Sequence, residues 1–316
     1  MTGTELKKLP TRRGDYYLPH FDLWGDRTAP PPGRGLLSRG DTVAPIGSCF
    51  ARLGARYLKR RGYRSAMYPA GHLYNPATVR LELGHVLAGE PWPDEFILDG
   101  GDHFAHRFRK RCTARTREEL VALDREISDR ARAHLQAADL ILVLVGTTTE
   151  VWRDEQLGLP TNEIPPPAAH RRGGWQLDPG DFDEIRESIA GVQRLLTEHT
   201  RAAQAYAVCP IPLHATWLDK GVLEANGRTK ALLRAALELE LTGDSAYLPL
   251  WDWMQGQTGR WSPMTPDGRH LDDVGTDRLM LFAEQFLSAE PVPPLAVGHR
   301  LRSSWTDLRK HRSRRP

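Results

Sequence analysis

The sequence predicts a three-layer α/β/α sandwich around a parallel sheet of about five strands. Three observations predict it. Strand-like and helix-like stretches alternate about five times along the chain. Leu140–Val145 is an unbroken apolar run, as expected of a strand buried on both faces. The candidate chemical groups fall in loops directly after strands, where ligands of such sheets bind.

Each element has its own signal. The first forty residues carry Pro30, Pro31, Pro32, Gly33 and Gly35 and read as an N-terminal arm over 1–41. Thr42 to Ile46 is an extended run stopped by Gly47. Phe50, Leu53, Tyr57 and Leu58 then recur at helical spacing, Gly62 ends that helix, and Tyr63 to Met67 reads as a second strand. Leu81, Val86 and Leu87 suggest a short helix, and Gly89 to Arg111 is irregular or holds a short hairpin. Glu118 to Ala138 is a helix with Leu120, Ile127, Ala131 and Leu135 near one face, feeding the strand that ends at Val145. Gly158 to Pro179 reads as one long loop containing Pro165, Pro166 and Pro167. A helix starts near Asp181, with Glu184 three residues on as a capping partner and a stripe of Phe182, Ile185, Ile189, Val192 and Leu196. Strand Gln204–Cys209, helix Gly227–Leu241, strand Ala246–Leu250 and helix Asp273–Leu287 complete a flavodoxin-like order. The main domain spans 42–290, followed by a basic tail over 291–316.

Composition narrows the function classes. A chain of 316 residues can bury a full core without covalent staples. Its 43 basic and 40 acidic residues leave a net charge of only +3, which gives no whole-molecule attraction to nucleic acid. The longest apolar run is far too short to cross a bilayer, and the N-terminus lacks the apolar stretch of a secretory signal. Three scattered cysteines, Cys49, Cys112 and Cys209, argue against a disulfide framework. The expectation is a cytoplasmic protein without a membrane span or nucleic-acid partner. Metal and phosphate-loop motifs are lacking too, so neither a metal nor another cofactor is expected.

Pro45-Ile-Gly-Ser-Cys-Phe-Ala51 joins the first strand to the first helix. Gly47 permits a sharp turn, and the helix N-terminus offers unpaired backbone N–H groups beside Ser48. Two readings are open: Ser48 caps the helix through its side chain, or its hydroxyl is a nucleophile in a positive local potential. Asp267-Gly-Arg-His270 lies in a turn-rich loop before the last helix. It is either a solvated loop pair or a base with the acid that fixes its tautomer. Cys49 is a rival nucleophile or a small buried hydrophobe. Trp152, Trp217, Trp251, Trp253 and Trp261 lie in or near loops after strands, as platforms for flat ligands or as packing.

Taken together these stretches resemble the GSCFA family, relatives of the SGNH (GDSL-like) esterases and acyltransferases. Gly47-Ser-Cys-Phe-Ala51 is the family's name in residues. Tyr68-Pro-Ala-Gly-His-Leu-Tyr-Asn-Pro76 resembles its Asn-Pro-x-Gly-x-x-Tyr-Asn-Pro stretch. Gly146-Thr147 with Val151-Trp152 resembles its Gly-Thr and aromatic turn. Cys209-Pro-Ile-Pro212 with His214, Glu224-Ala-Asn226 with Thr229-Lys230, and Tyr247-Leu-Pro249 are similar to later family segments, in order. Asn162-Glu163-Ile164 and the proline run depart from a Cys-His-Lys segment, which implies an altered substrate mouth.

The resemblance implies a nucleophile at Ser48 and a base at His270 oriented by Asp267. It implies an oxyanion hole of the Ser48 and Gly71 N–H groups, with Thr147 where many SGNH enzymes place an asparagine. Asn75 joins the substrate-binding set, and His106 is either the match of a family histidine or a solvated loop residue. The activity implied is hydrolysis of an acyl ester on a small molecule or carbohydrate through an acyl-enzyme. The alternatives are acyl transfer to a sugar or alcohol, and a non-catalytic binding module. Neither the acyl group nor the oligomeric state is implied.

Overall fold

The computed structural model describes residues 34–99, 101–109, 112–162, 174–243, 245–256, 265 and 270–293. The strands are β1 (Thr42–Gly47), β2 (Arg64–Ser65), β3 (Ile97–Asp99), β4 (Phe104–His106), β5 (Thr113–Ala114), β6 (Leu140–Val145), β7 (Val151–Asp154), β8 (Trp175–Asp178), β9 (Ala203–Val208) and β10 (Ala246–Tyr247). The α-helices are α1 (Cys49–Arg60), α2 (Pro76–Leu83), α3 (Arg117–Gln136), α4 (Phe182–His199), α5 (Val222–Glu240), α6 (Leu250–Gly256) and α7 (Asp273–Leu287).

The central sheet runs β2-β1-β6-β9-β10, with every neighbouring pair parallel. This is the flavodoxin-like order, whose direction reverses between β1 and β6. The pleat sorts the side chains into two cores. Ala44, Ile46, Ile141, Val143, Val145, Tyr206 and Val208 face one side, where α2, α3, α4 and α5 cover them. Val43, Leu140, Leu142, Leu144, Ala205 and Ala207 face the other, against α1, α6 and α7. Helices on both faces make the expected three-layer sandwich.

Several boundaries differ from the expectation. Strand pairing in β2 and β10 is two residues long, because each lies at a sheet edge with one partner. Helix α5 begins five residues before Gly227, and α6 replaces the end of the last expected strand. The stretch read as one long loop contains β8, which forms an antiparallel hairpin with β7 outside the main sheet. Residues 97–114 form a small antiparallel sheet, β3-β4-β5. Of the arm, residues 34–41 lie against the body: Leu37 is buried and bridges to Ser288. No helix among the described residues is long and apolar enough to cross a membrane.

Candidate active site at the switch point

Ser48 follows the last residue of β1 and is the N-cap of α1, with extended backbone angles. Gly47 makes this turn at φ 128°, a region open mainly to glycine, and a Cβ there would sit 2.2 Å from the Leu144 carbonyl oxygen of β6. The Ser48 side chain makes no capping hydrogen bond. Its Oγ lies instead 2.9 Å from the Sγ of Cys209, the residue after β9. Ser48 is fully buried, and no acidic residue occupies the first turn of α1, so the helix N-terminus keeps its positive potential.

The loop between β2 and α2 closes over this end of the sheet. Leu73 N donates to Gly47 O at 2.9 Å, and Thr147 N donates to Tyr74 O at 2.9 Å. The loop therefore straddles the ends of β1 and β6. Asn162 clamps it from outside: Tyr74 N donates to its Oδ1 at 3.2 Å, and its Nδ2 donates to His72 O at 2.5 Å. Asn162 was expected only to alter a substrate mouth; it holds the loop beside the candidate nucleophile. Thr147 is buried, its N–H is spent on Tyr74, and its hydroxyl has no hydrogen-bond partner among the described residues.

Two residues of the expected binding set have other work. The Gly71 N–H, expected to serve an oxyanion, donates here to Tyr68 O at 3.0 Å within a turn. Asn75 caps α2, its side chain accepting from Thr78 N at 2.9 Å. That explains a buried amide without a ligand.

His106 is neither solvated nor among the Ser48 contacts. It is buried in β4, with Nδ1 accepting from Phe108 N at 3.2 Å and Arg109 N at 3.0 Å. Around it Arg109 donates to both Glu82 oxygens, at 2.6 and 3.2 Å, and to Asp124 at 2.8 Å. Tyr68 adds a bond to Glu82 at 3.2 Å. Burial pushes the Asp124 carboxyl up, but the His85 hydrogen bond and the Arg109 charge bring it below its ordinary value. This network staples the small sheet to α2 and α3.

His270 stands two residues before the N-cap of α7. Helices α1 and α7 are adjacent and run the same way: Met280 packs at Gly54, and Glu284 accepts from Tyr57 at 2.8 Å. Glu284 also accepts from Arg61 at 2.9 Å and Tyr63 at 3.0 Å. Ser48 stands six residues before Gly54, and the α7 N-cap Asp272 eight before Met280. Because the helices run the same way, their N-termini lie toward the same end of the sheet. Leu271, next to His270, packs in the same cluster as Phe50 and Cys209. The His270 carbonyl accepts from Thr265 N at 2.7 Å and Thr265 Oγ1 at 3.1 Å, which holds the loop turn. Asp267 and Trp261 lie outside the described residues.

The remaining aromatic residues divide. Trp253 is buried and stacks on Phe282, so it packs the core. Trp217 is half exposed and meets Trp152 edge-on at 5.7 Å, its backbone N–H held by the Glu150 carboxylate at 3.0 Å. Cys49 is half-buried against the second core, and none of the three cysteines forms a disulfide. Among the described residues no group of His, Cys, Asp and Glu is placed to hold a metal ion.

The molecule is thus a doubly wound parallel α/β protein whose candidate chemistry sits where the strand order reverses. Its family follows from the same residues. The chain belongs to the GSCFA family, whose model matches residues 42–282, from the start of β1 into α7. No curated protein matches it at a significant level.

Proposed function

We propose that this GSCFA-family protein is a serine-dependent acyl-ester hydrolase of SGNH type, acting in a reducing cytoplasm on an acylated small molecule or carbohydrate. The observation that carries the reading is the seat of Ser48: at the switch point, on a helix N-terminus, with its hydroxyl turned away from capping. Ser48 Oγ attacks the ester carbonyl and forms an acyl-enzyme while His270, oriented by Asp267, takes the hydroxyl proton. The alcohol leaves with that proton, and His270 then activates water to release the acid. The α1 N-terminus and the Thr147 hydroxyl face the developing oxyanion.

Acyl transfer is the second reading, favoured by the full burial of Ser48, since a dry site lets an acceptor alcohol outcompete water. Labelling with a fluorophosphonate and mapping of the adduct tests the shared nucleophile. The adduct is expected on Ser48, and Ser48→Ala is expected to lose ester turnover by several orders of magnitude. Full turnover by the folded Ser48→Ala protein on acetyl and longer esters would end both readings. Product analysis with added sugar or alcohol acceptors separates hydrolysis from transfer.

A further inference from the structure

A buried cation stands beside the candidate nucleophile. Lys230, on α5, is 2% exposed, yet among the described residues no carboxylate pairs with it. Its ammonium donates to Cys209 O at 2.8 Å and Ile211 O at 2.9 Å. The Trp251 ring of α6 lies 5.3 Å away, where its face attracts the charge. Among the described residues the titratable groups that face it are the Cys209 and Cys49 thiols. Two of its three N–H donors have acceptors among the described residues.

A methionine would fill this space without the desolvation penalty of an ammonium. The two carbonyls Lys230 holds belong to the turn that presents Cys209, and Cys209 Sγ is the atom beside Ser48 Oγ. One lysine therefore fixes the geometry of the nucleophile's neighbour. It also places a positive charge, paired with no carboxylate among the described residues, at the end of the sheet where the ester carbonyl would gain negative charge.

We propose that Lys230 is a positioning residue for the Ser48 reaction: it holds the Cys209–Ile211 turn, orients the Ser48 hydroxyl through Cys209, and favours the oxyanion by its charge. The inference rests on the acyl-enzyme reading. Burial holds the Lys230 ammonium below its ordinary pKa, so its charge is lost at a lower pH than that of an exposed lysine.

The test is the rate of fluorophosphonate labelling of Ser48 in the full chain from pH 6 to 10.5, with folding followed by circular dichroism. The wild-type rate is expected to fall on the alkaline side. Lys230→Arg keeps a charge that does not titrate and should lose that fall, whatever its absolute rate. Lys230→Met should label at least tenfold more slowly near neutral pH. A folded Lys230→Met protein that labels at the wild-type rate overturns the proposal, as does an alkaline fall that persists in Lys230→Arg. Should neither variant fold, the wild type decides: a rate level to pH 10.5 overturns the proposal, and a fall that survives Cys49→Ala and Cys209→Ala supports it. No adduct on wild-type Ser48 at any pH would instead sink the acyl-enzyme reading itself.

Discussion

Acid should unfold this protein in part through His106, far from the candidate nucleophile. Its Nδ1 accepts two backbone N–H groups, so the ring proton sits on Nε2, 3.7 Å from Asp124 Oδ1. A second proton would set N–H against two N–H groups in a buried site. Burial lowers its pKa to about 4, Asp124 opposing this and Arg109 and His85 adding to it. Between pH 6.5 and 4 the unfolded chain binds this proton and the native state does not, so stability falls as pH falls. The drop from an ordinary 6.5 to about 4 corresponds to about 3 kcal/mol, at about 1.4 kcal/mol per pH unit. Urea midpoints from pH 7.5 to 4 measure it, with His106→Asn as the reference that can accept but not titrate. Other titrating groups cancel in the difference. The wild-type advantage should shrink steadily below pH 6.5; two parallel curves would refute the reasoning.

Gly47→Ala should cost several kcal/mol or prevent folding, because the new Cβ meets the Leu144 carbonyl and the backbone is left-handed there; a soluble variant with an unchanged melting temperature would contradict the turn. Asn162→Ala should cost about 1–3 kcal/mol by releasing the His72 carbonyl and Tyr74 N–H. Faster hydrogen exchange confined to residues 70–75 would check it.

The central sheet was legible because its strands carry local signals. β6 is apolar throughout, and its burial on both faces follows from that run. The candidate nucleophile was legible for a similar reason, a glycine turn between a strand and a helix. What escaped were contacts between remote segments. Nothing near Ser48 in the chain announces Cys209, which is 161 positions away. Lys230 stands in the sequence only as part of a family-like segment until its burial is known, and Asn162 as part of a departing loop until its amide is seen on the 72–74 backbone. β8 was hidden because four residues of antiparallel pairing beside prolines carry little periodicity. His106 stayed open between a family histidine and a solvated loop residue, because the groups that bury it, Asp124 of α3 among them, are remote in the chain.

The convergence of three donors on Glu284 bears on how the chain assembles. Tyr57, Arg61 and Tyr63 are made early, but the carboxylate they share arrives with the final helix. A nascent chain stalled before that helix leaves one side of its sheet covered by α1 and α6 alone and three polar groups open to water. Glu284 of α7 thus ties the last helix to the first, and the His270 segment comes into place with it.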